Sequence, residues 1–254
     1  MIQTRIIPIL LLQNEDLVKT IHFKKPNYLG DPINAVKIFN DREVDELIFL
    51  DINATKNKTE PNYQLLRDIA SECFMPFCYG GGIKDCETIK KLFSLGVEKV
   101  AINSEFYKHP EIIKQASKLF GNQSIVVSID VNKNIFGKYK AFSNGGKINT
   151  NQNPIEVAKK AEQLGAGELL INSINKDGTM SGYDLEIINN ISKSVNIPVI
   201  ACGGAGNIKD LFKAINVGAS AVAAGSLFVY HGKQKGILIN YPDKNNFKKY
   251  YNTL

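Results

Sequence analysis

Apolar residues recur along the chain in short runs bounded by turn residues, at positions 6–12, 47–51, 76–79, 100–102, 125–130, 169–172, 198–201 and 221–224. The runs are partly β-branched and apolar on both alternating faces, the pattern of parallel strands covered on both sides. Between them lie stretches with helical periodicity. Pro32, Pro110 and Pro154 stand at the first helical position of three such stretches, and Asp31 and Asn153 precede two of them as caps. Eight strands, each followed by a helix, in 254 residues predict a single-domain α/β fold, the (β/α)8 or TIM barrel.

An open doubly wound sheet would show the same alternation, but this chain also repeats itself at half its length. ELIFLDI, YGGGIKD and AINSEF in the first half correspond to ELLINSI, CGGAGNIKD and AAGSLF in the second. The offset is constant: 168 − 46, 203 − 81 and 226 − 104 each give 122. A closed ring of two half-barrels, residues 1–120 and 121–240 in round numbers, accounts for that repeat. Residues 13–30 and 131–152 break the rhythm after strands one and five, and the second stretch carries an Asn-Gly hairpin signal. Long loops after barrel strands lie at the catalytic face.

Composition narrows the classes. Hydrophobic residues make up 44% and charged residues 22%, ordinary for a soluble globular chain. No apolar run nears the roughly 20 residues that span a bilayer, and the start MIQTRIIPILLLQNEDL lacks the basic opening and cleavage site of a signal peptide. These features point to a cytoplasmic protein with no membrane association. Cys73, Cys78, Cys86 and Cys202 have no zinc-site spacing and read as free thiols, while His22, His109 and His231 form no helical metal pair. No metal or cofactor is expected. The net charge of +6 is spread over helix faces, with a weak concentration in KNNFKKYY near the carboxyl end. Without an aromatic-interleaved basic stripe this excludes nucleic acid and leaves attraction of anionic substrates.

Glycine-rich turns follow four strands. Gly80-Gly81-Gly82 and Asn103-Ser104 follow strands three and four; Gly203-Gly204-Ala205-Gly206 and Gly225-Ser226 follow strands seven and eight. Such turns let backbone N–H groups approach an anion closely. Two pairs related by one offset predict two phosphate pockets on opposite sides of the barrel mouth, and a ligand with a phosphate at each end.

The segments RIIPIL, DELIFLDI, YGGGIKD, IVVSIDV, GAGELLINSINKDGTMSGYD and CGGAG resemble the cyclase subunit of imidazole glycerol phosphate synthase, over nearly the whole chain. The resemblance implies a lyase or synthase subunit of a glutamine amidotransferase complex. Such a subunit receives ammonia from a glutaminase bound at the amino-terminal face of the barrel. It makes imidazole glycerol phosphate and an aminoimidazole carboxamide ribotide in histidine synthesis. The family's acid–base pair implies a catalytic Asp130; the family's other Asp matches position 11, which is Leu11 here. A leucine cannot exchange a proton, so chemistry needing two carboxyls cannot run in its usual form. The resemblance also implies substrate contacts at Lys19 and the Asp177-Gly178-Thr179 turn, and an ammonia gate of Arg5, Glu46, Lys99 and Glu168.

KPNYLGDPINAVKIFNDREVDELIFLDI and SLFVYHGKQKGILINYP look more like paralogues linked to acetamidino-sugar formation in surface-polysaccharide synthesis. These accompany a glutaminase-like and an amidotransferase-like protein, and imply a phosphorylated or nucleotide-linked substrate. Three readings stand: the sugar-modifying paralogue, the ordinary histidine-pathway cyclase, and a non-catalytic barrel that activates a glutaminase and conducts its ammonia.

Overall fold

The structure is a computed structural model that describes residues 4–232 and 234–242; the basic KNNFKKYY segment lies outside the described residues. The first half runs β1 (Arg5–Gln13), β2 (Asp16–Ile21), β3 (Lys24–Gly30), α1 (Pro32–Asp41), β4 (Leu47–Asp51), α2 (Ala54–Asn57), α3 (Tyr63–Glu72), β5 (Phe77–Gly80), α4 (Cys86–Ser94), β6 (Lys99–Ile102), α5 (Ser104–Lys108) and α6 (Glu111–Phe120). The second runs β7 (Ile125–Lys133), β8 (Tyr139–Ser143), β9 (Ile148–Asn149), α7 (Pro154–Gln163), β10 (Glu168–Ser173), α8 (Leu185–Ser192), β11 (Val199–Cys202), α9 (Ile208–Asn216), β12 (Ala221–Ala224), α10 (Ser226–Val229), β13 (Tyr230–His231) and β14 (Gly236–Ile237).

Eight parallel strands close the ring in the order β1-β4-β5-β6-β7-β10-β11-β12 and back to β1. The continuous apolar runs follow from burial on two faces. Ile6, Leu10 and Leu12 of β1 face the helical layer, while Ile7 and Ile9 join Ile48, Cys78, Val126, Leu170 and Ile200 inside the barrel. The interior is therefore a packed layer of side chains.

Helix starts follow their sequence signals. Asp31 accepts the N–H of Asn34 ahead of Pro32, and Asn153 accepts that of Ile155 ahead of Pro154. Pro110 is a correction: it is the N-cap of α6, which begins at Glu111. The reason is a tight first turn, with Ile112 and Ile113 donating to the carbonyls of His109 and Pro110. The regular strand–helix alternation also ends early. β12 is followed by the four-residue α10, and the described chain then continues through the β13–β14 hairpin into residues 238–242, which form no helix or strand.

Both irregular loops are antiparallel extensions of the barrel wall. Residues 13–30, expected only as a long loop, form β2 and β3, with Leu11 paired to Val18 and Leu17 to Gly30. After β7 the chain doubles back as β8 and β9 around the Asn144–Gly146 turn. These two hairpin systems flank the carboxyl ends of the barrel strands.

Candidate functional site

A cavity of about 470 Å³ opens at those strand ends. Strands place their residues alternately in and out, so the inward series of β1 delivers Ile9, Leu11 and Gln13 to it, and β7 delivers Ser128 and Asp130. Lys19, Gly81, Gly82, Asn103, Ser104, Asp177, Gly178, Gly203, Gly204, Gly225 and Ser226 line the same space. Thr179 does not line it; its hydroxyl donates to the Lys176 carbonyl at 2.8 Å.

The cavity has an apolar side and a polar side. Leu11 pairs with Leu50 of β4, and with Ile9 they make an apolar wall. Asp130 pairs with Asn172 of β10, and both are buried. Burial pushes the Asp130 carboxyl up to about 7, helped by the negative charge of Asp177. Asp130 is thus substantially protonated near neutrality, able to donate as well as accept. The Asn172 Oδ1 has no hydrogen-bond partner among the described residues.

Asp177 is the hub that holds the first hairpin over the site. Its carboxylate accepts from Lys19 Nζ at 2.7 Å, Thr20 Oγ1 at 2.8 Å and the Phe23 N–H at 3.1 Å. His22 and Phe23 form a two-residue turn with both φ values in the left-handed region, 54° and 60°, a geometry that Asn-Gly adopts more readily. Tertiary bonds hold it: the His22 N–H reaches the Asp177 carbonyl at 3.0 Å and its Nδ1 lies 3.1 Å from the Ile174 carbonyl.

The glycine turns are shaped by close approach. Gly81 has φ 125°, and a Cβ there would stand 2.6 Å from the Asp51 carbonyl oxygen. Gly204 has φ 111°, with the Gly182 carbonyl at 2.3 Å from such a Cβ. Asn103 donates to the Ser128 carbonyl at 2.9 Å, and Ser104 Oγ accepts the Asn144 N–H at 3.0 Å. The Lys19 stem lies against Gly225, 3.2 Å from where its Cβ would be.

At the opposite end of the barrel, Arg5, Glu46, Lys99 and Glu168 close a ring of alternating charge. Arg5 binds Glu46 and, at 2.5 Å, Glu168; Lys99 binds each glutamate at 3.1 Å. Both glutamates are buried. Burial alone would lower the Arg5 pKa, but the two carboxylates outweigh it and raise it. Two cations against two anions leave the ring neutral, and the packed apolar layer separates it from the cavity.

Comparison with known proteins bears on this two-ended arrangement. The histidine biosynthesis protein family matches residues 5–235. A protein of Pseudomonas aeruginosa strain PAO1, named "Putative imidazole glycerol phosphate synthase subunit hisF2", is 51% identical over 246 residues, covering 96% of this chain and 98% of its own. The chain belongs to the HisF family. A hisF3 relative in Vibrio vulnificus is 47% identical, covering 98% of this chain and 96% of its own. The imidazole glycerol phosphate synthase subunit HisF of Endomicrobium trichonymphae is 45% identical over 91% of this chain and 88% of its own.

In this HisF-family barrel, three further cavity residues lie inside segments quoted from the sequence but were given no role there. Asp51, at the end of β4, accepts the N–H groups of Asn53 and Ala54 at 2.8 and 2.9 Å. Burial raises its pKa against the lowering effect of those two donors. Asn172, one residue before the end of β10, and Cys202, the last residue of β11, line the same cavity. Their signal was positional: a polar residue at the carboxyl end of a barrel strand. Among the described residues no group of His, Cys, Asp or Glu is arranged to hold a metal, and no helix is long and apolar enough to cross a membrane.

Proposed function

We propose that this chain is a HisF-type subunit that takes ammonia from a HisH-like glutaminase docked at the charge ring and delivers it to the mouth without performing the imidazole cyclisation. The observation that carries the reading is the juxtaposition of a complete four-residue ring with a cavity that has Leu11 where the repeat and the family call for a second carboxyl. Ammonium would lose its hydration in the apolar layer between the two ends; neutral ammonia crosses at far smaller cost. The glycine turns, with Lys19 at Gly225, suit a phosphorylated or nucleotide-linked ligand at the mouth.

Asp130 then acts alone. As a neutral acid it donates a hydrogen bond to ligand oxygen or to the ammonia lone pair, and as a carboxylate it accepts from ammonia N–H. The downstream chemistry consistent with the paralogue resemblance is conversion of an acetamido group of a sugar into an acetamidino group in the cytoplasm. An amidotransferase-like third protein first transfers a phosphoryl or adenylyl group from a nucleoside triphosphate to the amide oxygen; ammonia then adds to that carbon, the oxygen leaves as phosphate or nucleoside monophosphate, and the added nitrogen gives up a proton to leave the amidine.

The test is complementation. The native chain will not restore growth without histidine to a bacterium lacking the pathway cyclase, and robust rescue sinks the reading. A second reading, a non-catalytic conduit, is favoured by the apolar wall around Leu11. The two separate at Asp130→Asn: loss of amidine product with glutaminase stimulation retained assigns Asp130 a catalytic part, and retention of both makes the barrel a conduit.

A further inference from the structure

The base of β1 is incompletely tied into the barrel wall. Its ladder with β4 begins at Ile9 opposite Ile48, so residues 5–8 have no ladder partner on that side. Yet Arg5 and Glu46, which these two strand starts present, must meet in the ring. Buried backbone groups require partners, and the Ile6 groups find theirs outside the sheet. The Ile6 N–H donates to Asp45 Oδ2 at 3.0 Å, and the Ile6 carbonyl accepts from the Tyr241 hydroxyl at 3.0 Å. The same hydroxyl lies 3.5 Å from Asp45 Oδ2.

Tyr241 comes from the segment after β14, which follows the four-residue α10 where a long eighth helix would stand. Leu238 and Asn240 donate their N–H groups to the carbonyls of Val229 and Phe228 at 3.0 and 2.9 Å. The Tyr241 ring packs on Phe228 with centroids 5.5 Å apart, and the residue is 9% exposed. Burial, reinforced by the Asp45 charge, pushes its phenol up, so it remains a proton donor.

We infer that Tyr241 is a positioning residue for the charge ring: with Asp45 it bridges the starts of β1 and β4 and thereby holds Arg5 against Glu46. The neighbours in sequence make the link short. Ile6 follows Arg5, and Asp45 precedes Glu46. The functional consequence rests on the reading of the ring as the ammonia entrance, whereas the positioning itself does not.

The experiment compares the native chain with Tyr241→Phe, which keeps the ring packing and removes only the donor. Amide hydrogen exchange should accelerate at least tenfold at Ile6, the Arg5 Nε–H resonance should move, and exchange at Leu169 across the barrel should stay unchanged. Unchanged Ile6 and Arg5, or acceleration spread evenly round the barrel, overturns the inference. Tyr241→Leu, which also removes the ring, separates loss of packing from loss of the hydrogen bond: if Tyr241→Phe matches the native chain while Tyr241→Leu alone disturbs the ring, the role is packing and the inference fails. With a HisH-type glutaminase added, Tyr241→Phe should lower glutaminase stimulation severalfold. A disturbed ring with full stimulation leaves the positioning inference standing and removes the ammonia-entrance reading.

Discussion

Asp130 makes a strong prediction about pH. Its folded pKa of about 7, against the ordinary aspartate value of 3.8, is a statement about stability. Between those values the unfolded chain has released the proton while the folded chain retains it. Raising the pH therefore favours unfolding, by up to about 1.4 kcal/mol per pH unit. Stability begins to fall near pH 4, continues to fall to pH 7, and this contribution then levels off, because both states are ionised. The accumulated cost is about 4 kcal/mol for a shift of roughly three units.

Asp130→Asn removes that cost while keeping the side-chain shape. The variant should melt above the native protein at pH 8 by about 8–16 °C, from roughly 2–4 °C per kcal/mol in a domain of this size. At pH 4 the two should nearly coincide. Differential scanning calorimetry from pH 4 to pH 9 gives the curve directly. A melting difference independent of pH, or one that favours the native protein as pH rises, refutes the assignment of a buried carboxyl carrying this shift.

Three further outcomes follow from the same geometry. Lys19→Met removes the cation 2.7 Å from Asp177, leaves that negative charge less compensated, and should move the Asp130 midpoint above about 7 in a carboxyl-carbon NMR titration; a downward movement contradicts it. Gly81→Ala forces a side chain to φ 125° with its Cβ 2.6 Å from the Asp51 carbonyl, whereas Gly145 has open space around its Cβ position. In urea unfolding, Gly81→Ala should cost about 2–3 kcal/mol and Gly145→Ala about 1 kcal/mol, and the reverse order would show the turn to be pliable. Glu46→Gln leaves Arg5 and Lys99 with Glu168 as their remaining anionic partner in the ring. A loss of about 2 kcal/mol is expected, below the usual 3–5 for a broken buried pair because Glu168 still contacts both cations; no change in the urea midpoint argues against a cooperative ring.

The one-dimensional pattern determined the eight barrel strands, because a strand buried on two faces writes itself as a short apolar run. The runs at 47–51 and 221–224 coincide with β4 and β12, and Asp31 and Asn153 marked their helices through purely local capping. The constant offset of 122 likewise singled out the glycine turns that line the cavity and two glutamates of the ring. Hairpins β2–β3 and β8–β9 were legible only where an Asn-Gly turn announced one of them; the His22–Phe23 turn carries no such signal, because tertiary bonds to Asp177 and Ile174 hold it. Only the tertiary structure decided which groups satisfy one another. Lys19 meets Asp177 across 158 residues, and Tyr241 meets Ile6 across 235. Periodicity and capping are properties of neighbours along the chain, whereas the desolvation of Asp130 and the closing of the charge ring arise when distant strands converge and exclude water.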